Sequence, residues 1–356
     1  MRVGSIVLST EQGLGILARG MYDHGIIDEV LLKQHSFRKN HPEWFNNAEY
    51  IGNPQEDFVQ TQDPSTRERV IITNFLSKID ILFILEIPFY FKWWQLAHGG
   101  EKVPIGYDLL VDAQRMGVKV VLMPMYECSP VPLDADLYLC PSALDKQVYE
   151  KIYPGKKIHQ ITVPVNVPWK QRTMAKEFIF NAGNGGTNDR NGIPEVVEAL
   201  KYIKSPFTLT IRSQNPLPFT IEDSRVKLEI GTFPYEELYA DGDVFLFPEK
   251  FNGLSLPLQE AHASGMLVMA SNRFPNTEWL PEEPLIPVAG YEEDRITNVP
   301  FSRAIIKPAD IAQTVDNWYG KDITRYSLAG KEWGENHSWK NMKPKYLKIF
   351  KQILRG

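Results

Sequence analysis

Short runs of apolar residues alternate along this chain with longer segments in which apolar residues recur at helical spacing. In the first half the pattern predicts a helix over residues 16–24. It predicts buried strands over Val3–Leu8, 79–85, 118–123 and Leu137–Cys140. This alternation is typical of β-α units arranged around a parallel sheet. Residues 37–65 are polar and contain prolines without a clear period, so we interpret them as loop with a short helix.

The same alternation restarts after a proline-spaced segment, residues 163–169, which we interpret as an interdomain linker. Helices are predicted over 194–203, 256–264 and 339–354. Strands are predicted over 178–182, 207–211, Val226–Ile230, Val244–Phe247 and Leu267–Ala270. The pattern therefore predicts two similar α/β halves joined by a linker, followed by a closing helix.

Length and charge narrow the function classes. The 356 residues suggest two domains. The 39 Lys and Arg against 44 Asp and Glu leave a net charge of −5, which argues against a protein that holds nucleic acid mainly by charge but allows a local basic groove. The only cysteines, Cys128 and Cys140, cannot form a disulfide framework, and we interpret them as small buried apolar residues in a reducing compartment.

No segment has the composition of a bilayer span. The most apolar stretch, residues 79–91, is interrupted by Asp80, Glu86 and Pro88 within about a dozen residues, whereas a spanning helix needs about 20. The first residues have no cleavable signal pattern. We therefore expect a cytoplasmic protein without an integral membrane segment.

Residues 243–280 are the densest in candidate chemistry. A predicted strand leads into a Gly/Ser loop, then into a helix that carries Glu260, then into a small-residue turn and another strand. Backbone N–H groups of such a loop suit a phosphate or a sugar oxygen. Glu260 could accept two hydroxyl hydrogen bonds from a ribose, or it could be a solvated glutamate in a plain β-loop-α unit.

This stretch resembles the donor-binding half of family 4 glycosyltransferases, which have the GT-B fold. Residues 252–265, Asn-Gly-Leu-Ser-Leu-Pro-Leu-Gln-Glu-Ala-His-Ala-Ser-Gly, take the family's signature pattern, and residues 275–278 match the turn that often follows. Residues 179–183 and 191–200 are similar to an earlier strand and helix of the family, and residues 333–354 to its closing helix.

The resemblance implies a fold and a domain order. The fold would be α/β of the GT-B type, with two Rossmann-like doubly wound domains facing a central cleft. Residues 1–165 would form the acceptor domain and residues 166–335 the nucleotide-sugar donor domain. Residues 336–356 would form a helix that packs back on the first domain.

The resemblance also implies an activity. The chain would transfer a sugar from a UDP- or GDP-sugar to an acceptor hydroxyl with retention of anomeric configuration and without a metal. The diphosphate would leave from the front face, and a donor phosphate oxygen would take the acceptor proton. The donor would be bound by Gly183, Gly253, Leu254, Ser255, Leu256 and Glu260.

The sequence departs from the family pattern at two positions. Asn252 stands where the first Glu of the signature is expected, and Asn191 stands where a phosphate-binding Lys is expected. An amide can still hydrogen-bond a sugar hydroxyl, but the charge that develops on the departing diphosphate needs a cation. We predict Arg190 as the replacement and Arg212 as the second candidate, although each could be an ordinary surface arginine.

Candidate residues in the first half have weaker support. Gly13 and Gly15 could let the backbone approach the diphosphate or the acceptor, or could form a simple tight turn. Glu127 could position or deprotonate an acceptor hydroxyl or could be structural, and Glu86 has the same two interpretations. The aromatic cluster at residues 89–94 could stack on an acceptor, pack in the core or contact a membrane.

Two Asp-x-Asp pairs, Asp134 with Asp136 and Asp241 with Asp243, precede predicted strands. We therefore expect their carboxylates to lie at the end of the sheet away from the site, and we predict that they bind no metal ion. The acceptor stays open between a glycan, a lipid-linked glycan, a protein and a hydroxymethylated DNA base. Net charge and the lack of a basic amphipathic helix make membrane lipid and DNA less favoured. The alternative function is a catalytically inactive nucleotide-sugar-binding protein that acts as a regulator or partner subunit.

Overall fold

The computed structural model describes residues 1–33, 39–46, 48–51, 63–86, 107–129, 133–183, 189–296 and 298–355. The chain divides into two units. Unit 1 comprises Met1–Val163, Arg295–Pro300 and Met342–Gly356, and unit 2 comprises Pro164–Asp294 and Phe301–Asn341.

Unit 1 is built on a parallel sheet of seven strands. They are β1 (Val3–Leu8), β2 (Glu29–Lys33), β3 (Glu49–Ile51), β4 (Ile81–Leu85), β5 (Lys119–Met123), β6 (Leu137–Cys140) and β7 (Ile158–Gln160). Their order across the sheet is β3-β2-β1-β4-β5-β6-β7, and every neighbouring pair is parallel. The central strands are almost wholly apolar because helices cover a parallel sheet on both faces.

Three of the helices described in unit 1 begin at a residue whose side chain caps them, whereas the first begins without a side-chain cap. They are α1 (Gly13–Asp23), α2 (Thr66–Leu76), α3 (Leu109–Arg115) and α4 (Ala143–Ile152), with a short 3-10 helix at Pro42–Trp44. Ser65 and Glu68 form a reciprocal capping box at the start of α2, and Ser142 caps α4. Such caps satisfy backbone N–H groups that a helix start leaves without partners.

Unit 2 is built on a second parallel sheet, of five strands. They are β8 (Glu177–Gly183), β9 (Thr208–Ser213), β10 (Val226–Ile230), β11 (Val244–Phe247) and β12 (Leu267–Ala270). Their order is β10-β9-β8-β11-β12. Two further strands, β13 (Gly290–Arg295) and β14 (Pro300–Ile305), pair only with each other. Phe178, Phe180 and Phe245 lie in the core of this unit with almost no exposed surface.

The remaining helices are α5 (Ile193–Ala199), α6 (Leu256–Ala263), α7 (Pro308–Trp318), α8 (Thr324–Asn336) and α9 (Trp339–Ile353), and 3-10 helices lie at Tyr235–Glu237 and Asn276–Glu278. Within unit 1, α9 packs on the sheet: the Phe350 ring meets the Phe83 ring of β4 edge to face with centroids 5.3 Å apart. Tyr346 Oη also donates to the Thr162 carbonyl at 3.3 Å.

The two sheets share one topology. In each, the second and third strands lie on one side of the first strand and the fourth and fifth on the other, and the unit 1 sheet continues with β6 and β7. The strand order therefore reverses between β1 and β4 in unit 1 and between β8 and β11 in unit 2. In doubly wound α/β sheets, ligands bind outside the carboxyl ends of the strands at such a reversal. The predicted α/β fold with two doubly wound sheets is confirmed.

The elements that were predicted differ from the observed ones mainly at their ends, whereas strands β2, β3, β7, β13 and β14 and helices α2, α3, α4 and α7 were not predicted. Strands β6, β10, β11 and β12 have the predicted bounds, whereas α1 begins at Gly13 rather than residue 16. Strand β4 begins at Ile81 because Ile79 N–H is used in a turn, where it donates to the Leu76 carbonyl. The segment predicted as loop, 37–65, contains β3, which exists because β2 supplies its pairing partner.

Candidate functional site in unit 2

Two loops meet where the strand order of the unit 2 sheet reverses. The first follows β8 and runs through residues 183–192, of which 184–188 lie outside the described part of the chain. The second follows β11 and runs through residues 248–255 into α6. Backbone hydrogen bonding joins them, since Lys250 N–H donates to the Arg190 carbonyl at 2.7 Å. This edge of the sheet is the expected place for a ligand.

Two glycines shape the first loop. Gly183, predicted as a donor-binding residue, ends β8 with φ +57°, and a Cβ there would meet nothing within 4 Å. Gly192 has φ +73°, and a Cβ there would lie 2.4 Å from the Pro248 carbonyl oxygen. Only glycine combines this backbone conformation with such a close approach, so Gly192 allows the two loops to pack directly.

A buried ion pair holds the second loop. Glu249 is fully buried, and its Oε1 lies 2.5 Å from Arg273 Nη2, while its Oε2 accepts from Ser255 Oγ at 2.6 Å. Arg273 Nη2 also donates to the Asn252 carbonyl at 2.9 Å. Burial of a charged pair is costly unless its hydrogen bonds are satisfied, and here they are met by the loop itself. Sequence reasoning missed both Glu249 and Arg273.

The signature residues lie within this braced loop. Asn252 Oδ1 accepts from Ser255 N–H at 3.0 Å, so the amide closes a short turn of its own backbone. Ser255 has φ +43°, and Leu256 begins α6 immediately after it. Gly253 and Leu254 are buried between them. The predicted contacts of these residues with donor sugar and phosphate stay predictions.

Glu260 lies one turn into α6 and is nearly buried, with 8% of the residue exposed. Tyr235 Oη donates to its Oε1 at 2.6 Å, and Tyr239 Oη donates to its Oε2 at 2.7 Å. Burial raises the pKa of Glu260 to about 7, and the two tyrosine hydrogen bonds oppose that rise. Each carboxylate oxygen has two acceptor sites, so the carboxylate is oriented while retaining capacity for further hydroxyl donors.

Cations surround the first loop. Lys250 Nζ lies 2.5 Å from Asp189 Oδ2 and 2.6 Å from Glu195 Oε1. Arg303 Nη2 also lies 2.5 Å from Asp189 Oδ2. The Arg190 guanidinium lies over the Phe251 ring, 5.1 Å from its centroid. Lys250 and Arg303 were not predicted; the position of Lys250 two residues after Pro248, next to the signature, is the signal that could have found it.

Arg212, the second predicted phosphate cation, lies on β9 and forms hydrogen bonds within unit 2. Its Nε donates to Glu229 Oε2 at 2.9 Å, and its Nη1 donates to the carbonyls of Glu237 and Leu238 at 2.9 and 3.1 Å. These bonds attach β9 to the 3-10 helix that carries Tyr235. The role of Arg212 toward a diphosphate stays a prediction.

Asn191 replaces the expected lysine with a structural amide. Its Nδ2 donates to the Ala182 carbonyl at 3.2 Å, and its Oδ1 accepts from Ile193 N–H at 3.3 Å. The residue is 5% exposed. The side chain therefore fixes the end of β8 to the start of α5 and carries no charge.

In unit 1, the predicted glycines open α1 after β1. Gly13 is exposed and Gly15 is buried. A Cβ on Gly15 would lie 2.1 Å from the Thr10 carbonyl oxygen, so the glycine is required for close packing of the helix start on the preceding loop. This finding supports the tight-turn interpretation of Gly15 and does not test its approach to a ligand.

Glu127 is fully buried near a second carboxylate, Asp145. Asp145 accepts hydrogen bonds from Tyr126 N–H, at 2.8 Å, and from Ser142 Oγ. Burial, and secondarily the negative charge of the nearby Glu127, raise the pKa of Asp145 well above its ordinary value. This acid pair lies past the carboxyl ends of β5 and β6, and a catalytic role for Glu127 stays a prediction.

One aspartate of each Asp-x-Asp pair accepts from a backbone N–H near the amino end of a strand, whereas Asp241 Oδ2 lies 3.6 Å from Arg212 Nη2. Asp136 Oδ2 accepts from Val120 N–H at 2.9 Å, and Asp243 Oδ2 accepts from Glu177 N–H at 3.1 Å. In the described part of the chain, no cluster of three His, Cys, Asp or Glu side chains is arranged to hold a metal ion.

Two further predictions concern the ends of β4 and its following segment. Glu86 has φ +65°, and its carbonyl accepts from Ser129 Oγ at 2.6 Å. The aromatic cluster at residues 89–94 lies outside the described residues.

Among the helices that are described, none is both long enough and apolar enough to cross a bilayer.

Solved structures with the same architecture were found by comparison. A glycosyltransferase from Rickettsia africae ESF-5 superimposes with a TM-score of 0.66 at 14% identity, covering 100% of this chain and 99% of that one. Anabaena Alr3699/HepE in complex with UDP and glucose superimposes with a TM-score of 0.64 at 10% identity, covering 99% of this chain and 100% of that one.

The chain has the GT-B fold. A chain of the GtfA/B complex superimposes with a TM-score of 0.56 at 15% identity, covering 81% of this chain, which spans only 61% of that longer chain. No model of a known protein family matches the sequence, and no curated protein matches it. At these identities the likeness extends to the fold alone.

Proposed function

We propose that this GT-B protein is a glycosyltransferase that moves a sugar from a nucleotide-diphosphate sugar to an acceptor hydroxyl. The observation that carries the proposal is the environment of Glu260, a buried carboxylate on α6. This helix follows the loop after β11, at the point where the strand order of the unit 2 sheet reverses. Both oxygens of Glu260 are oriented by tyrosine hydroxyls at 2.6 and 2.7 Å. A carboxylate held in this way suits the paired hydroxyls of a ribose.

The loops on either side of Glu260 supply the other requirements of a nucleotide-diphosphate sugar. Residues 252–256 would present backbone groups to sugar and phosphate, and Gly183 would leave room at the end of β8. Arg190 would stabilise the negative charge on the departing diphosphate. Lys250 would hold Asp189, next to Arg190, in place through its 2.5 Å contact.

The nucleotide and the stereochemistry belong to the same proposal. A uridine nucleotide is favoured because Anabaena HepE, a protein of the same fold, has been solved with UDP and with UDP-glucose. Retention follows from the resemblance to family 4. The diphosphate would leave from the front face, and one of its oxygens would take the acceptor proton. We further propose that residues 166–335 bind the donor and residues 1–165 the acceptor.

The proposed reaction uses no metal ion, because arginine and backbone N–H groups would neutralise the diphosphate. Transfer should then be unchanged by EDTA. Activity that disappears on chelation and returns with manganese would contradict this part of the proposal. A result of that kind would also require a new assignment for the Asp-x-Asp pairs.

A thermal-shift screen of UDP- and GDP-sugars tests the donor site directly. A bound donor should raise the Tm of the chain, since a ligand that binds only the native state stabilises it. Glu260→Ala should weaken binding by about 1.5–3 kcal/mol, the value of hydrogen bonds to a charged group. Glu332→Ala, which removes an exposed glutamate of α8, is the matched control. Equal affinity of both variants would remove Glu260 from the site.

The alternative, an inactive nucleotide-sugar-binding protein, is favoured by one observation. Asn191 has both polar atoms of its amide engaged with backbone groups, so no charge acts from that position. Donor hydrolysis in the absence of acceptor separates the two functions. A transferase should hydrolyse its donor slowly, whereas an inert binder should release none of the sugar.

A further inference from the structure

The charged side chains of the last helix and its flanking residues are all Lys or Arg. From residue 336 to residue 356 the chain has six Lys and Arg and no Asp or Glu. Without these six cations, the net charge of the remaining chain falls from −5 to −11. This short, almost entirely helical segment therefore has a net charge of +6 within a chain that is acidic as a whole.

The two sides of α9 differ. Met342, Tyr346, Phe350 and Ile353 are buried. Because successive helix residues turn by about 100°, Lys348, Lys351 and Arg355 lie on the opposite side, and all three are exposed. The prediction that the chain lacks a basic amphipathic helix is therefore wrong: tertiary packing buries one side of α9 and leaves a basic face in solvent.

The basic face also carries aliphatic groups. A shallow groove of about 490 Å³ runs along it, and its lining includes Lys343, Lys348, Lys351 and Arg355. Pro344 and Leu347 line the same groove, and Leu354 nearby is 38% exposed. Lys and Arg stems can lie on apolar surface while their charged ends reach phosphate.

We propose that this face of α9 docks on an anionic phospholipid bilayer, as a peripheral contact that leaves the helix folded on unit 1. Clusters of about four to eight Lys and Arg bind anionic headgroups in this way. The exposed Pro344 and Leu354 and the half-buried Leu347 would lie at the boundary between headgroups and acyl chains, where aliphatic groups are stabilised. A nucleic-acid backbone offers such groups no comparable contact, and this face presents no aromatic side chain for stacking on bases.

Vesicle co-sedimentation tests the proposal independently of any transferase activity. The chain should bind vesicles of mixed phosphatidylglycerol and phosphatidylcholine, should not bind phosphatidylcholine alone, and should be released as salt rises. A variant with Lys348→Glu, Lys351→Glu and Arg355→Glu should bind about 100-fold more weakly, since each cation near the surface contributes to the attraction.

The matched control places the same charge change elsewhere. Lys176→Glu, Lys204→Glu and Lys331→Glu alter three exposed lysines of unit 2, and this variant should bind as the wild type does. If the α9 variant loses its cooperative thermal unfolding, the milder Lys348→Gln and Lys351→Gln variant is used, with an expected loss of about tenfold.

Three results would overturn the proposal. One is equal binding to vesicles with and without phosphatidylglycerol. Another is unchanged binding of a folded α9 variant. The third is tighter binding to duplex DNA than to the anionic vesicles at the same salt concentration, since that outcome would make nucleic acid the partner of this face.

Discussion

The Tyr239 hydroxyl donates to Oε2 of Glu260 at 2.7 Å, deep inside unit 2. The tyrosine lies in the core of unit 2, just after the 3-10 helix Tyr235–Glu237, and the glutamate lies on the helix that follows the second loop. Their hydrogen bond connects the core of unit 2 to the carboxylate that we assign to the donor. Stability and donor binding should therefore both depend on the ionisation of Glu260.

The free energy of unfolding should depend on pH through Glu260. Burial raises its pKa from the ordinary 4.5 to about 7, so between these values the folded chain holds a proton that the unfolded chain has lost. Stability of the wild type should therefore fall as pH rises from about 4.5 to about 7, by up to about 3 kcal/mol from this group. Glu260→Gln should lack that component. The free energy of unfolding of both proteins is measured by urea unfolding at several pH values in this range. If it changes with pH by the same amount in the two proteins, the assignment is contradicted.

Donor affinity should change with pH in the opposite direction. Ribose hydroxyls donate to the ionised carboxylate, so binding should strengthen as pH rises through about 7 and Glu260 loses its proton. Glu260→Gln should bind weakly at every pH without this transition. Calorimetric titration with UDP at pH values on either side of 7 measures the effect. A wild-type affinity that is flat with pH would show that the carboxylate does not receive the ligand.

Arg190 and Arg212 should fail in different ways. Arg190→Ala should lower turnover by about 10²–10³-fold, the scale of losing one group that stabilises developing negative charge. Arg190→Lys should recover part of this loss because a point charge suffices. Arg212→Ala should instead lower the free energy of unfolding by about 1.5–3 kcal/mol, since it removes the donor to Glu229 Oε2 and to the Glu237 carbonyl. An inactive Arg212→Ala with Arg190→Ala within about twofold of wild type would reverse the assignment.

The Glu249–Arg273 pair should be required for the second loop. Arg273→Met leaves a fully buried carboxylate without its counter-charge, which should cost about 3–5 kcal/mol of unfolding free energy. The double variant Glu249→Leu with Arg273→Met should cost less than the sum of its single variants, because no unpaired charge remains. Additive losses in urea unfolding would show that the two side chains act independently.

Close approach, rather than backbone conformation alone, should make Gly192 essential. Gly155→Ala is the control, because Gly155 has φ +85° and nothing lies within 4 Å of an added Cβ. That variant should lose about 1–2 kcal/mol, the cost of a left-handed conformation. Gly192→Ala should lose clearly more, since its Cβ would lie 2.4 Å from the Pro248 carbonyl oxygen. Equal thermal stability of the two variants would refute the steric argument.

Local pattern determined much of the architecture of this protein. Buried strands such as Val244–Phe247 and Leu267–Ala270 have the predicted bounds because a short run of consecutive apolar residues between turn residues leaves few alternatives. The repeated β-α alternation was enough to predict two similar α/β halves, and the resemblance carried by residues 252–265 implied that both are doubly wound.

Long-range contacts decided what these residues do, because a side chain's partners are set by chain segments far away in sequence. The sequence shows Glu260 but not the two tyrosines that orient it, and it shows Arg212 but not the carbonyls to which it donates. The sequence shows that asparagines stand at positions 252 and 191 in place of the expected Glu and Lys. Only the structure shows that both amides form hydrogen bonds with backbone groups. The basic face of α9 likewise exists only because packing on unit 1 buries the opposite side. Residue type determined the available chemistry, and tertiary structure decided which polar groups are used in the fold.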